Sequence, residues 1–415
     1  MRIVMLSLLL LLPTLVRAQI TLQAYRDSVY QRSTRIDYAA SELDRSRAEL
    51  GRAKTGFLPS LSAAGTFTTD LRHTSAGERW SFSLQPRVEQ TIYAGGAVRA
   101  TYRRAQAQAE SSSEALRQTW LEVRYAADVA YWTLSAMQLY VAATEEYVDI
   151  ISSLYDVVDE RYREGYVAKS DVLQVEARLS EARYALVDIR NDYDVAQHRF
   201  YNLLGEEQTT HDKVALGNSI LDSMAMPVRV GAEELLLRRP DVARSGLAVG
   251  IAEEGVTIAK SAFNPRLTAS IGSSWQTYSP NVGGRTYLDG ALVVGVNVPI
   301  FHWRERRYAA TSAEAGVRKA EADLSQARRD ATLEEADGWS DLTSSYSQIR
   351  SSLHNLAIAS ENLSISTFSY REGQATVLDV LQAQISWIQI YTNAITARFN
   401  YAVALSEYMR LTAQQ

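Results

Sequence analysis

Apolar residues recur at alternating spacings of three and four along two segments of this chain. Val172, Val175, Leu179, Ala182, Leu186, Ile189, Tyr193, Ala196, Phe200 and Leu203 form the first row. Val380, Ala383, Trp387, Ile390, Ala394, Ala397, Tyr401, Ala404, Tyr408 and Leu411 form the second. A sustained period of about 3.5 predicts helices packed as coiled coils. The second segment carries another apolar row at Leu381, Ile385, Ile388, Ile395 and Phe399. Two seams call for two neighbours, as in a closed ring of helices.

Elsewhere the period drops to two. Trp80, Phe82, Leu84, Pro86 and Val88 alternate with Ser81, Ser83, Gln85, Arg87 and Glu89, and a looser alternation sets Leu61, Ala63 and Phe67 against Ser60, Ser62, Thr66 and Thr68. The arrangement returns with Leu267, Ala269, Ile271 and Trp275, then Leu288, Leu292, Val294, Val296, Val298 and Ile300. This pattern predicts four strands of roughly ten to fourteen residues. They form two hairpins, at about residues 57–93 and 263–301, with turns at His73, Ser75 and Gly77 and at Pro280, Gly283 and Gly284.

Proline and glycine mark where helices stop. No proline lies between Pro86 and Pro227 or after Pro299; Gly165 is the only glycine between Gly96 and Gly205, and Gly373 the only one after Gly338. Each lone glycine suits a left-handed residue between two helices, so each half holds a helical hairpin with its tip at Gly165 or Gly373. The outgoing arm from Ala97 to Tyr162 would span roughly 100 Å if continuous, the dimension of a rod or tube.

The two halves are copies. Tyr162-Arg163-Glu164-Gly165 and Asp171-Val172-Leu173-Gln174 return 208 residues later as Tyr370-Arg371-Glu372-Gly373 and Asp379-Val380-Leu381-Gln382. Lys54, Phe57, Pro59 and Leu61 return as Lys260, Phe263, Pro265 and Leu267. The expected organisation is a first repeat over 19–205, a linking segment over 206–229 and a second repeat over 230–415, making the chain a tandem duplication.

The N-terminus has a different character. Arg2, the apolar run Ile3–Leu12, Pro13 and the small-residue exit Val16-Arg17-Ala18 predict a secretory signal peptide over residues 1–18. The run is shorter than the roughly 20 residues of a membrane-spanning helix. With no cysteine, the chain has no disulfide framework, no thiol chemistry and no lipidated cysteine. A net charge of −5 argues against a nucleic-acid partner.

Strands of this length suit a tilted transmembrane β-barrel, though a soluble sandwich with one wet face fits the same alternation. Four strands cannot close a barrel, and a bilayer does not tolerate open edges. A membrane reading therefore requires several chains, and three would supply twelve strands.

These residues carry a resemblance. The blocks Gly165 and Gly373 onward, Arg239-Pro240-Asp241-Val242, Phe57-Leu58-Pro59-Ser60-Leu61 and Gln90-Thr91-Ile92-Tyr93-Ala94-Gly95-Gly96 resemble the TolC type of outer-membrane efflux channel. The resemblance implies an α+β membrane protein. It would be a homotrimer with a 12-stranded transmembrane β-barrel in outer-membrane lipid, continued by long antiparallel helices as a periplasmic α-barrel. It also implies a Gram-negative outer membrane, extension into the periplasm, and a passive exit duct for tripartite efflux or type I secretion. The partners would be a periplasmic adaptor and an inner-membrane transporter, and the linking segment would lie in an equatorial collar.

Site expectations follow from the repeat and the resemblance. Asp171 and Asp379 fall on the first turn of each returning helix, where an acid complements the helix dipole. Threefold symmetry would also make Asp379 a ring of like charge at the periplasmic mouth, able to bind cations, with Asp171 an intrachain latch. Tyr370 matches a family position that hydrogen-bonds at the closed tip. The family's basic latch residue and second acid are replaced by Ala375 and Gln382, so the closed network must use other partners, such as Arg371 or Lys169. Gly165, Tyr166, Val167 and Ala168, with Gly373, Gln374, Ala375 and Thr376, are the candidate adaptor-docking tips. Tyr93, Gly95 and Gly96 mark the first exit from strand to helix, and the second copy substitutes His302-Trp303-Arg304 for the small residues there; aromatics at these joins, with Trp80, Trp275 and Tyr287, suit interfacial girdles.

Little suggests catalysis. His73, His198, His211, His302 and His354 are isolated and lack metal-ligand spacing, and no serine sits in a nucleophile elbow. Glu145-Glu146, Glu253-Glu254 and Glu334-Glu335 read as solvated helix faces. No enzyme, cofactor or metal centre is expected. The competing class is a periplasmic adaptor, which typically has a single hairpin and an anchor.

Overall fold

A computed structural model describes residues 19–69, 80–206, 214–222, 224–279 and 285–414. The predicted signal peptide, His211 and the strand-turn residues His73, Ser75, Gly77, Pro280, Gly283 and Gly284 lie outside the described residues, as does the side chain of Tyr287. The elements run α1 (Leu22–Arg32), α2 (Thr34–Thr55), β1 (Ser60–Thr69), β2 (Trp80–Ala94), α3 (Ala97–Arg163), α4 (Lys169–Leu203), α5 (Ala232–Arg238), α6 (Pro240–Ser261), β3 (Arg266–Ser279), β4 (Arg285–Asn297), α7 (Glu305–Arg371) and α8 (Val377–Leu411). They divide into two compact units. One comprises residues 1–34, 121–229 and 335–415, the other 35–120 and 230–334.

The second unit contains the sheet, an antiparallel meander in the order β1-β2-β3-β4. Its register collects the predicted apolar positions on one face. Leu61 pairs with Val88, Val88 with Ile271 and Ile271 with Leu292, while Leu84 pairs with Trp275 and Trp275 with Leu288. The neighbouring row, Ser62, Arg87 and Gly272, lies on the other face. Because side chains alternate, one register settles both faces. Pro86 sits in the inner strand β2, paired with Ala63 on one side, and the β2–β3 ladder skips it between Leu84 and Arg87. A residue with no N–H cannot donate there. Strand β4 stops at Asn297, short of the expected Val298–Ile300, because Pro299 interrupts the ladder.

Ion pairs hold the helical part of this unit. Arg239 donates to Asp241 at 2.9 and 2.6 Å and pairs with Glu334 at 2.7 Å, and Pro240 opens α6 where its missing N–H costs nothing. Burial pushes the Asp241 carboxyl up, but the hydrogen bonds and charge of Arg239 outweigh it and hold it below the usual carboxylate range.

The first unit contains α4, α8, the later parts of α3 and α7, and both hairpin tips. Along α4 and α8 the predicted heptad rows point inward; Val172, Val175, Leu179, Val380, Ala383 and Trp387 are all buried. They share one core with Tyr147, Ile151, Leu154 and Val158 of α3 and with Ala359, Leu363 and Tyr370 of α7. The backbone of residues 214–218 is pinned on several sides: Ile20 bridges Leu216, the Tyr131 hydroxyl accepts from Asn218 N at 3.0 Å, and the Gln138 side-chain amide donates to Val214 O at 2.8 Å. Arg26 donates to the buried Asp128 at 2.5 and 2.6 Å beside the Tyr25–Phe200 ring stack.

Candidate functional site

The two hairpin tips are built alike. Gly165 has φ +84° and Gly373 φ +73°. At the first, Gly165 N–H bonds to Tyr162 O at 3.0 Å and Tyr166 N–H to Arg161 O at 2.8 Å; at the second, Gly373 N–H bonds to Tyr370 O at 3.0 Å and Gln374 N–H to Ser369 O at 2.8 Å. This pair of bonds is a Schellman motif, which satisfies the last helical carbonyls and needs a left-handed residue in the glycine position. Tyr166 projects outward at 77 % exposure, whereas Val167 and Ala375 pack half-buried on the shared core.

The returning helices start differently. Thr376 caps α8 in a capping box: its Oγ1 accepts from Asp379 N at 3.3 Å, while Asp379 Oδ2 accepts from Thr376 N at 2.9 Å and from Thr376 Oγ1 at 2.7 Å. The Thr376 hydroxyl and amide hold the fully exposed Asp379 carboxyl below the usual range. The equivalent cap of α4 is Ala168, which has no side chain to offer, and half-buried Asp171 accepts from Ser170 Oγ at 3.4 Å. Gln382 lies exposed one turn beyond Asp379 on the same helix.

Arg161 ties the hairpins together, a role that sequence reasoning missed. Its Nη1 donates to Tyr370 O at 3.1 Å and its Nη2 to Arg371 O at 2.6 Å. Its guanidinium also sits 4.9 Å from the Tyr370 ring centroid. One cation thus caps the C-terminal carbonyls of α7, where the helix dipole is negative, and stacks on an aromatic face. A basic residue in the last turn of α3 is visible in the sequence, but its partners lie more than two hundred positions away. Arg371 contributes a carbonyl rather than its side chain. The Tyr370 hydroxyl, for which the resemblance implies a hydrogen bond, belongs to a buried residue with the Arg161 guanidinium against its ring. Burial pushes this phenol up, opposed by the charge and a side-chain hydrogen bond of Arg161, and the nearby Asp171 charge adds to the rise.

The acidic pairs require a correction. Glu335 is not on a solvated face: it is 6 % exposed, accepts from Arg229 twice at 3.0 Å, and accepts from the Tyr408 hydroxyl at 3.1 Å. The helical turn carries Glu335 inward, and a charge-assisted bidentate pair compensates its burial. Glu145 and Glu254 are also paired, with Arg190 and Arg103. Among the described residues no cluster of acids or histidines is arranged to hold a metal ion, and no helix is long and apolar enough to cross a membrane.

Known proteins match this architecture. The fusaric acid resistance protein FusA of Burkholderia cepacia is 27 % identical over 170 residues, covering 40 % of this chain and 32 % of that protein. The toluene efflux pump outer membrane protein TtgC of Pseudomonas putida is 23 % identical over 180 residues, covering 43 % and 37 %. The match therefore spans about a third of the length of each of these two relatives. The outer membrane protein VceC of Vibrio cholerae superposes with a TM-score of 0.82 over 94 % of this chain and 95 % of that one, at 18 % identity, so the fold is shared. The family model described as outer membrane efflux protein matches residues 25–206 and 231–414, one match for each copy of the duplicated unit, and the chain belongs to that family.

Proposed function

We propose that three copies of this chain form an outer-membrane channel, the passive exit duct of a tripartite efflux or type I secretion system. The observation that carries this reading is the sheet: one face is apolar across all four strands, yet β1 and β4 each have one edge unpaired. Leu61, Leu288, Leu292, Val294 and Val296 are between 63 and 76 % exposed, which an isolated chain in water would not tolerate as a continuous surface. Closing β4 of one chain on β1 of the next removes the edges, and a lipid environment covers the apolar face. The helices support the same assembly. Leu173, Tyr184 and Val187 leave an apolar row open on α4, as do Ile358, Ile365 and Phe368 on α7.

In this reading residues 1–18 direct export and the 206–229 segment belongs to the collar. The hairpin tips face the periplasm, where Gly165–Ala168 and Gly373–Thr376 present a surface to an adaptor and its transporter. Asp379 would recur three times at the mouth. Its exposure leaves the carboxylate facing solvent even while the capping box engages one oxygen. The test is fractionation followed by conductance. Heat-modifiable trimers in the outer-membrane fraction that conduct in planar bilayers are expected; release of the chain without detergent would reject the reading in favour of a soluble adaptor.

A further inference from the structure

Strand β4 hands its apolar row on to the connection that follows it. Val298, Ile300, Phe301 and Trp303 are 53, 92, 67 and 84 % exposed. The rings of Phe301 and Trp303 lie 4.8 Å apart, edge to face. Arginines begin where these apolar residues end. Arg304, Arg306 and Arg307 are exposed, with Glu305 the only acid among them. None of the three has an ion-pair partner among the described residues.

The equivalent join of the first copy is closed. Gly95 and Gly96 occupy the positions of Trp303 and Arg304. Asn264 Nδ2 donates to Gly95 O at 3.2 Å, and a Cβ on Gly95 would lie 2.5 Å from Asn264 Cβ. Arg103, beyond that join, is paired with Glu254 at 3.5 Å. The second join keeps the left-handed backbone but directs a large ring and three cations into open space. Both joins leave the same end of the sheet, because Ala94 and Asn297 each pair with Arg266. The exposed Arg99 and Arg104 of α3 therefore add positive charge at that end.

We propose that the β4–α7 join binds the phosphate of an anionic phospholipid whose acyl chains lie along Val296, Val298 and Ile300. The proposal rests on the channel reading, which covers the apolar face of the sheet with lipid, and it names the headgroup at the helical end of that face. A phospholipid carries its chains and its phosphate in the order in which this stretch carries its apolar residues and its arginines. The Arg307 N–H bonds to Arg304 O at 2.9 Å, which folds the two arginines onto one turn, so that both guanidiniums can reach one phosphate. Trp303 supplies the amphipathic ring that settles at headgroup depth. A choline headgroup brings an ammonium against three cations, whereas a glycerol headgroup brings none and leaves the lipid its net negative charge. Free phosphate would satisfy the arginines yet leave Ile300, Phe301 and Trp303 in water, so a lipid suits both parts of the stretch.

The test uses the full-length protein reconstituted into phosphatidylcholine vesicles. Brominated chains are carried by either phosphatidylglycerol or phosphatidylcholine, at the same mole fraction. Bromine quenches nearby indoles, and the difference between the parent and Trp303→Phe isolates the Trp303 signal. The brominated phosphatidylglycerol should associate about fivefold more strongly, the ratio that corresponds to about 1 kcal/mol for one arginine at a lipid surface. The preference should fall below about twofold in the triple variant Arg304→Gln, Arg306→Gln, Arg307→Gln, and in the parent at high salt. A charge-matched triple variant further along α7, Lys319→Gln, Arg328→Gln, Arg329→Gln, should keep it. Equal quenching by the two lipids, no quenching because a neighbouring copy covers Trp303, or equal loss in both triple variants would overturn the proposal. Insertion is read separately. A protein that alkaline carbonate strips from the vesicles overturns the channel reading and the proposal together, whereas an inserted protein without lipid preference overturns the proposal alone.

Discussion

At the scale of single residues, the second copy departs from the first where the backbone turns left-handed. Gly95, Gly96 and Gly205 correspond, at the repeat offset of 208, to Trp303, Arg304 and Ala413, which retain φ of 42°, 66° and 49°. A side chain in that region is strained, so Ala413→Gly should stabilise the chain by about 1 kcal/mol in chemical denaturation. Arg161 is the opposite kind of residue, one whose cation engages two carbonyls and a ring. Arg161→Met should cost about 2 kcal/mol and speed amide exchange at the end of α7, while leaving the α3 tip protected. For Asp379, replacement by Asn should lower cation selectivity in planar bilayers, and unchanged selectivity would reject the proposed ring.

At the scale of elements, the helix starts illustrate how one substitution changes a local equilibrium. Thr376→Ala removes the cap of α8 and should cost about 1 kcal/mol, while Ala168→Ser should supply α4 with the cap it lacks. Helix content and exchange at the two first turns measure both. The pH dependence has a definite sign. Asp379 is held below its ordinary value, so its contribution to α8 is complete above the usual carboxylate range and is lost as pH falls through the lowered value. Exchange of the Thr376 amide should therefore accelerate in acid more than that of its counterpart at Ala168. Helix α7 shows the limit of reading breakers: it runs through Gly316 and Gly338, although glycine-free sequence begins only after the latter. A cost of about 1 kcal/mol per glycine does not stop a 67-residue helix. Gly338 also gives room to a neighbour, since a Cβ there would lie 2.7 Å from Leu411 Cδ1.

At the scale of the whole molecule, the proposed trimer makes a cross-chain prediction that the absence of cysteine renders clean to test. Cysteines introduced at facing positions on β1 and β4 should crosslink neighbouring chains into species of trimer mass; only intrachain products would contradict closure between copies. Much of the chain was legible beforehand. The rows from Val172 and from Val380, the period-two strands and the lone glycines of the tips are all local or periodic signals, because burial selects residue type every 3.5 or two positions. Those signals, with the 208-residue repeat, determined the helices, the strands, the two hairpins and the family. The sequence left undecided every pairing between distant residues: Arg161 with the end of α7, Glu335 with Arg229 and Tyr408, and the β2–β3 register that joins the copies into one sheet. Such pairs leave no periodic trace, since a single arginine or glutamate reads the same whether solvated or buried. Only packing of the helices and strands in three dimensions chose the partners, because the cost of burying a charge is offset solely by the group that geometry places against it.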